Sequence, residues 1–384
     1  MFAGRNVSSP YRIPLVRPSL PRLEVIYDQL TELISSGRLS NFGPRVTEFE
    51  ERASRFLDVP HAISVSSATT GLCLLLNTVS KGSEVIVPSF TFLATLQAIL
   101  WNGLRPRFVD IDPGTFCMDP DSAQRAITRN TAAILAVNTF GGLCDVRQLE
   151  EIAQRHEIPL FFDSAHAFGS KYRAKYFGSF GNAEVFSFSP TKILASSDGG
   201  LVTTRYNTIR EGILHRRNYG LASNRDCWNL GLNGKMTEIA ALFCNQGLPF
   251  VLEEIESRNR LAARYKERLG RISGITFQDV SRDYVFGYKD FAILLDPVLC
   301  GIDRSTLQAR LQKKGVETGV YFSPPMHCLT VSRQYCDSVV LPNTEAVAAR
   351  ILSLPVYSSL TDDEVEYVIS SIEEELRIVR GQDR

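Results

Sequence analysis

Two side chains of complementary chemistry lie near the middle of the 384-residue chain. Asp163 ends one apolar run, and Lys192 follows a glycine-rich loop and a second apolar run at 183–188. An amine and a carboxylate placed after neighbouring buried strands meet the needs of a pyridoxal phosphate site. The lysine binds the cofactor aldehyde as a Schiff base, and the carboxylate keeps the pyridine nitrogen protonated. We therefore expect both residues at the carboxyl ends of strands in one open sheet.

The same stretch contains three short motifs: Asp-Ser-Ala-His at 163–166, Phe-Ser-Phe-Ser-Pro-Thr-Lys at 186–192 and Asp-Gly-Gly at 198–200. In these motifs the chain resembles the DegT/DnrJ/EryC1/StrS aminotransferases, the sugar-nucleotide branch of the pyridoxal phosphate enzymes of fold type I. The resemblance extends from Ile13 through Ile372. Some members replace the lysine with histidine and catalyse dehydration, so the retained Lys192 favours transamination.

A possible phosphate site follows the predicted strand at 62–65. Small hydroxyl residues at 66–70 lead into an apolar helix, and the positive end of a helix suits an anion. A plain serine N-cap would give the same pattern. The resemblance implies that Ala68 and Thr69 bind the cofactor phosphate, together with the hydroxyl of Ser187. The alternative for Ser187 is a structural role as a small residue of a buried strand.

The resemblance assigns three further positions to the cofactor. It implies that Phe92 stacks on the cofactor ring, although a phenylalanine in this context is more often part of the core. His166 occupies a position where many members have glutamine, and it could bond the ring oxygen of the cofactor or a neighbouring group. Asn233 is expected to reach the cofactor phosphate of the neighbouring subunit. Lys235 replaces the arginine that is usual nearby, and a lysine lacks the planar fork for a bidentate contact.

Two residues of the loop Tyr-Phe-Ser-Pro-Pro-Met-His at 321–327 are candidates for substrate contact. The loop matches a family motif near the substrate mouth, which implies roles for Tyr321 and His327. A structural role for His327 is an equal alternative.

Alternating apolar strands and helices predict an α/β protein with a mostly parallel sheet between helices. The resemblance implies the aminotransferase fold of type I, with a seven-stranded sheet in a large domain and a smaller C-terminal α/β domain. We predict an N-terminal arm at 1–15, a large domain at 16–250 and a small domain at 251–384. The small domain is expected to have helices at 251–269, at 304–314 and after Thr361, and strands at 288–295 and 316–322. Thr361 and Glu364 form a predicted capping box.

Composition limits the classes of partner and site. Lys and Arg together number 42, as do Asp and Glu, so the formal charge is zero and favours neither nucleic acid nor a membrane as partner. The eight cysteines show no metal-binding spacing, and we expect no metal. The N-terminal residues lack the apolar core of a signal peptide, so a cytoplasmic location is expected. No Walker or Rossmann glycine motif stands out, which argues against nucleotide hydrolases and NAD enzymes.

The resemblance implies the reaction. We expect a ping-pong aminotransferase that takes the amino group of an amino acid, glutamate above all, and gives it to a keto sugar, in particular a nucleotide-linked keto-deoxyhexose. It also implies a homodimer whose subunits share their active sites. Two alternatives are an aminotransferase for keto-cyclitols and a regulatory protein that keeps the fold without turnover.

Overall fold

The computed structural model describes residues 10–379 and 381, except 81, 223, 282, 337 and 338. Residues 1–9 of the predicted arm lie outside this set. The strands of the described residues are β1 (His61–Val65), β2 (Glu84–Pro88), β3 (Arg105–Val109), β4 (Thr131–Val137), β5 (Leu160–Asp163), β6 (Lys171–Tyr172), β7 (Lys175–Tyr176), β8 (Ala183–Ser187), β9 (Gly200–Thr204), β10 (Ile275–Phe277), β11 (Tyr284–Val285), β12 (Phe291–Leu295) and β13 (Ile351–Leu354).

The α-helices of the same residues are α1 (Leu23–Ser36), α2 (Pro44–Leu57), α3 (Ala68–Leu76), α4 (Leu93–Trp101), α5 (Pro120–Ala126), α6 (Val146–Arg155), α7 (Asn207–Arg216), α8 (Glu238–Gly247), α9 (Val251–Leu269), α10 (Pro297–Cys300), α11 (Arg304–Lys313), α12 (Pro342–Arg350) and α13 (Asp362–Val379). None of them is long and apolar enough to cross a membrane.

The main sheet has seven strands in the order β1-β9-β8-β5-β4-β2-β3. Its pairs are parallel except those made by β9, which runs antiparallel to both β1 and β8. Strands β5, β8 and β9 are buried along their whole length, because helices cover both faces of the sheet. The predicted mostly parallel sheet of an α/β protein is confirmed.

Two apolar cores lie on the two faces of this sheet. One includes side chains of α2, α6 and α8, with Phe49, Leu149 and Cys244 among them. The other includes side chains of α3 and α4. The parallel strands therefore have their carboxyl ends at one common edge, between the two helical layers.

The C-terminal part has its own apolar core, which joins the long helix α9 to α11, α13 and a three-stranded sheet in the order β10-β12-β13. Helix α9 has the predicted bounds, and Thr361 and Glu364 form the predicted capping box with backbone bonds of 2.8 and 3.2 Å. Ile13 lies in this core, since it pairs with Val316. The proposed division of the chain at residue 251 stays a prediction.

Two predicted strands of this part need correction. Residues 316–322 form no strand; Val316 and Gly319 make only isolated bridges, to Ile13 and to Ser353. The edge position next to β12 is occupied instead by β13, which the sequence analysis missed. The strand predicted at 288–295 begins at Phe291, because Tyr288 has a positive φ of 43° that interrupts extended backbone.

Candidate active site

A cavity of about 440 Å³ opens at the carboxyl edge of the main sheet. It is bordered by the segments that follow β1, β2, β4, β5 and β8, and by two segments of the C-terminal part. The lining residues that the chemistry below uses are Ala68, Thr69, Phe92, Asp163, His166, Ser187, Lys192, Asp198, Lys289, Asp290, Tyr321 and Phe322. Eight of the ten sequence-predicted site residues are in this set, as the sheet topology requires.

Asp163 is the last residue of β5 and is buried. Its Oδ2 accepts a hydrogen bond from Thr95 Oγ1 at 2.7 Å, and its Oδ1 accepts one from the backbone N–H of Ala165 at 3.1 Å. Burial raises the pKa of this carboxyl group, while the bonds from Thr95 and Ala165 and the charge of Lys192 oppose that rise. The carboxylate is therefore held in a fixed orientation inside the protein.

Thr95 is a site residue that the sequence analysis missed. It lies in the first turn of α4, and its hydroxyl is 2.8 Å from that of Thr91. The sequence contains a signal for this contact, because Thr91 and Thr95 follow a strand and are four residues, or about one helical turn, apart. The pair supports Asp163 from the segment that follows β2.

Lys192 follows β8 in a turn closed by its own N–H, which donates to Ser189 O at 2.9 Å. Burial is the main reason that its pKa falls to about 7, and the charge of Lys289 lowers it further. Asp290 and Asp163 act in the opposite direction. A lysine with this pKa is a much better nucleophile and base at neutral pH than a solvated one.

The predicted phosphate cup is the start of α3. Ser67 is the N-cap of this helix, and its hydroxyl accepts from Thr70 N at 3.1 Å, so a serine cap is present at the same place. The helix begins with Ala68, and Ala68 and Thr69 both line the cavity, so the N-terminal end of the helix lies at the cavity edge. At Gly200 a Cβ atom would lie 2.6 Å from Ala68 N, so the glycine lets β9 pass directly behind the cup.

His166 is half-buried in the cavity wall, where its ring lies near-parallel to those of Phe140 and Phe322, at a centroid distance of 6.3 Å from each. Its Nδ1 accepts a hydrogen bond from Phe140 N at 3.1 Å. Burial, followed by the charges of Lys192 and Lys289, holds its pKa well below the usual value. The imidazole is thus neutral, and its proton is on Nε2.

Phe92 and Tyr321 border the cavity from opposite parts of the chain. Phe92 is the N-cap residue of α4 and is 57% exposed, which leaves its ring available to a ligand. Tyr321 belongs to the C-terminal part, where its ring packs against that of Phe322. Both positions agree with ligand contact, which stays a prediction.

Two predicted residues lie outside this lining. Asn233 is exposed and pairs with Asn218 in an isolated bridge, and Lys235 Nζ donates to Asn218 Oδ1 at 3.0 Å. His327 is buried: Ser89 Oγ lies 2.6 Å from its Nδ1, and Glu345 Oε1 lies 3.3 Å from its Nε2. In this position His327 links the end of β2 to α12. The structure does not support the predicted contact of His327 with substrate.

Lys289 and Asp290 are further lining residues that the sequence analysis missed. Lys289 Nζ donates to both carboxylate oxygens of Asp290, at 2.9 and 3.0 Å. In the strand predicted at 288–295 these adjacent residues would point to opposite faces, so that prediction did not bring the pair together.

Comparison with known proteins supports a single family. The sequence model of the DegT/DnrJ/EryC1/StrS aminotransferase family matches residues 23–373. GDP-perosamine synthase of Escherichia coli O157:H7 is 32% identical over 366 residues, which cover 94% of this chain and 98% of that protein. The spore coat polysaccharide biosynthesis protein SpsC of Bacillus subtilis (strain 168) is 30% identical over the full length of both chains.

Solved structures agree with the sequence comparison. The crystal structure of DesI in the presence of its TDP-sugar product superimposes with a TM-score of 0.91 at 35% identity, and covers 98% of this chain and 96% of that one. The crystal structure of S. venezuelae DesV in complex with a ketimine intermediate gives a TM-score of 0.85 at 28% identity, with 94% of this chain and 99% of that one covered.

Proposed function

The chain belongs to the DegT/DnrJ/EryC1/StrS aminotransferase family, and we propose that it moves an amino group from an amino acid, glutamate above all, to a nucleotide-linked keto sugar. The cofactor that we propose for this transfer is pyridoxal phosphate. One observation carries the proposal: a single cavity contains the half-buried amine of Lys192 and the buried carboxylate of Asp163, close enough for each to shift the pKa of the other.

The donor set of the cavity fits this cofactor. An amine of lowered pKa suits an aldehyde, a buried carboxylate suits a ring nitrogen that must keep its proton, and a helix start suits a phosphate. The residues proposed to hold the cofactor are Lys192 at the aldehyde, Asp163 at the ring nitrogen, Phe92 on the ring face, His166 at the ring oxygen, and Ala68, Thr69 and Ser187 at the phosphate.

When bound, pyridoxal phosphate supplies an aldehyde that condenses with amines and a protonated ring that withdraws electrons from the donor carbon. The amine of Lys192, which the donor amine displaces, takes the proton from the donor Cα. In the acceptor step the same amine gives a proton to the sugar carbon that receives the amino group. Its pKa of about 7 suits both steps, because an acid–base group is most effective near the working pH.

The remaining side chains of the site orient the proposed cofactor and stabilise its protonated ring. Asp163, fixed by Thr95, places a negative charge where the ring nitrogen holds its proton. His166 offers a neutral Nε2–H donor, since Phe140 N occupies its Nδ1. Thr95 and Asp163 are both buried, which keeps water from competing for the contact between them.

The substrate class comes from the relatives. One is named for the synthesis of a GDP-linked amino sugar, and DesI was solved with its TDP-sugar product. These names support a nucleotide-linked keto sugar as acceptor, and they favour it over a keto-cyclitol. The presence of Asp163, Ser187 and Lys192 in one cavity argues against a regulatory protein without turnover.

We propose further that two copies of the chain share their active sites. Large apolar side chains are exposed in the segment before Asn233: Trp228 by 59% and Leu230 by 67%. Such surface is usually covered in an assembly. Asn233 itself is exposed and free to face a neighbouring subunit.

The experiment is incubation of the protein with pyridoxal phosphate, glutamate and a panel of GDP- and TDP-linked keto sugars and keto-cyclitols, followed by mass spectrometry. The proposal expects an amino sugar nucleotide as product, formed together with 2-oxoglutarate. Amination of keto-cyclitols alone, or of no acceptor at all, would overturn it.

A further inference from the structure

A buried ion pair, Lys289–Asp290, forms part of the cavity wall contributed by the C-terminal part of the chain. The side chain of Lys289 is 7% exposed and that of Asp290 is 4% exposed. The ammonium donates to both carboxylate oxygens at 2.9 and 3.0 Å. The proposed cofactor contacts use neither residue.

Hydrogen bonds to two other parts of the chain fix the backbone at Tyr288 and Lys289. Lys289 N donates to Phe140 O at 2.9 Å, which ties the pair to the loop after β4. The buried Arg258 of α9 donates through Nη1 to Tyr288 O at 3.2 Å and to Val356 O at 3.0 Å. The pair is therefore placed before any ligand arrives, which is what a binding group requires.

Stability alone does not explain the pair. Desolvation of two charges offsets most of their attraction, so a buried ion pair is often no better than apolar residues of the same size. The ammonium has three N–H groups, and among the residues that the structure describes it donates only to Asp290. One donor is thus left for a ligand in the cavity.

The amino-acid donor brings a carboxylate into this cavity, and a buried carboxylate requires a cation. Lys192 and Lys289 are the cationic side chains among the described residues of the lining. In the proposed function Lys192 holds the cofactor, which leaves Lys289. The charge of Lys289 also acts on Lys192. Because both lysines line one cavity, a carboxylate bound by Lys289 would lie in the same cavity as the carbon that Lys192 must reach.

We propose that Lys289 binds the α-carboxylate of the amino-acid donor and that Asp290 is a positioning residue that holds its ammonium in place. This inference rests on the proposed function. The keto sugar has no carboxylate at its reacting end, so Lys289 serves the donor step and not the acceptor step.

The test uses the protein loaded with pyridoxal phosphate and four variants: Lys289→Met, Asp290→Asn, the double variant Lys289→Met/Asp290→Asn, and Lys313→Met as a control on the exposed face of α11. The double variant is needed because Lys289→Met leaves Asp290 as an unpaired buried charge. Such a charge would itself repel a carboxylate and destabilise the fold.

The first readout is binding of glutarate, which has both carboxylates of glutamate and no amine, by isothermal titration calorimetry. We expect affinity to fall roughly 10- to 100-fold in Lys289→Met and in the double variant, the range for loss of a charged hydrogen bond. Lys313→Met should bind as the wild type does. Wild-type affinity in the double variant would overturn the inference, because Lys289 would then only neutralise Asp290.

The second readout is the spectral half-reaction with glutamate and with its α-amide, which lacks the α-carboxylate. The wild type should prefer glutamate, and the double variant should lose that preference. A preserved preference would contradict the inference. If the wild type reacts with no amino acid, the proposed function fails instead, and glutarate binding still reports on Lys289.

Discussion

Thr95 Oγ1 lies 2.7 Å from Asp163 Oδ2, which joins the helix after β2 to the end of β5 across 68 positions of sequence. The hydroxyl of Thr91, at 2.8 Å, completes a short chain of hydrogen bonds that ends at the carboxylate. Hydrogen bonds to the ionised form of a carboxyl group lower its pKa, and here they offset part of the effect of burial. The ionisation of Asp163 therefore depends on a threonine that makes no proposed contact with substrate.

Replacement of Thr95 by valine keeps the shape of the side chain and removes the donor. The pKa of Asp163 should rise further, so the acid limb of the pH profile for the glutamate half-reaction should move to higher pH. We expect the rate at neutral pH to fall roughly 10-fold, which corresponds to one lost hydrogen bond to a charged group. The profile is measured by stopped-flow absorbance, with Thr95→Ser as the control that keeps the hydroxyl. An acid limb that does not move would show that Thr95 only fills space.

The lowered pKa of Lys192 predicts how the protein without cofactor captures pyridoxal phosphate. Only the neutral amine attacks an aldehyde, so the capture rate should rise with pH through about 7 and level off above about pH 8. Removal of the neighbouring positive charge in Lys289→Met should raise the pKa of Lys192 and move the inflection upward. The measurement is a stopped-flow pH series, with Lys313→Met as control. An inflection near the ordinary lysine value would contradict this account.

Glu184 predicts a pH dependence of stability. Its carboxyl is buried, and its pKa rises to about 7 although Ser164 Oγ, Phe180 N and Gly178 N donate to it. Because the folded state binds this proton more tightly than the unfolded chain, the contribution is full below about pH 4.5 and is lost as the pH rises towards 7. The loss is roughly 3 kcal/mol in the free energy of unfolding.

The Glu184→Gln variant should not show that loss, since glutamine does not ionise and its Oε1 can keep both backbone donors. We expect the difference in unfolding free energy between wild type and variant to change across this pH window. Urea unfolding at about pH 5 and pH 7.5 measures it. A difference that stays constant with pH would mean that Glu184 is already ionised at the lower pH.

Shared active sites predict that two defective variants restore each other. Lys192→Ala lacks the cofactor lysine, and Asn233→Asp places a negative charge where a partner's phosphate is proposed to bind. Each should be inactive at limiting pyridoxal phosphate. Mixed and refolded in equal amounts, they should recover roughly one quarter of wild-type activity, since half of the dimers are mixed and each has one intact site. No recovery in mixtures with demonstrated mixed dimers would place Asn233 outside the partner's site.

The central pair of the site, Asp163 and Lys192, could be predicted from the sequence because its position follows from the topology of the sheet. Asp163 and Lys192 come after strands that pair in one sheet, and the ends of parallel strands meet at one edge. Helix α9 was predicted with its bounds because its apolar stripe is long and regular. An apolar pattern that repeats over many residues predicts both the type of an element and its bounds.

Other parts of the site depend on contacts that no local pattern encodes. Residues 316–322 alternate like a strand, yet they make only isolated bridges, and β13 pairs with β12 instead. The pairing of Ser89 with His327 joins residues 238 positions apart. Lys289 and Asp290 are adjacent in sequence, but their place in the cavity wall depends on how the C-terminal part packs against the main sheet.

The most direct test of the account is the visible absorption spectrum of the purified protein with pyridoxal phosphate, before and after glutamate, beside that of Lys192→Ala. The account predicts a band of lysine-bound cofactor in the wild type that glutamate converts to the pyridoxamine form. It predicts a folded Lys192→Ala protein without that band and without steady-state transamination. A wild type with no band, a band that no amino acid changes, or turnover by Lys192→Ala would contradict the assignment of Lys192 and with it the proposed function.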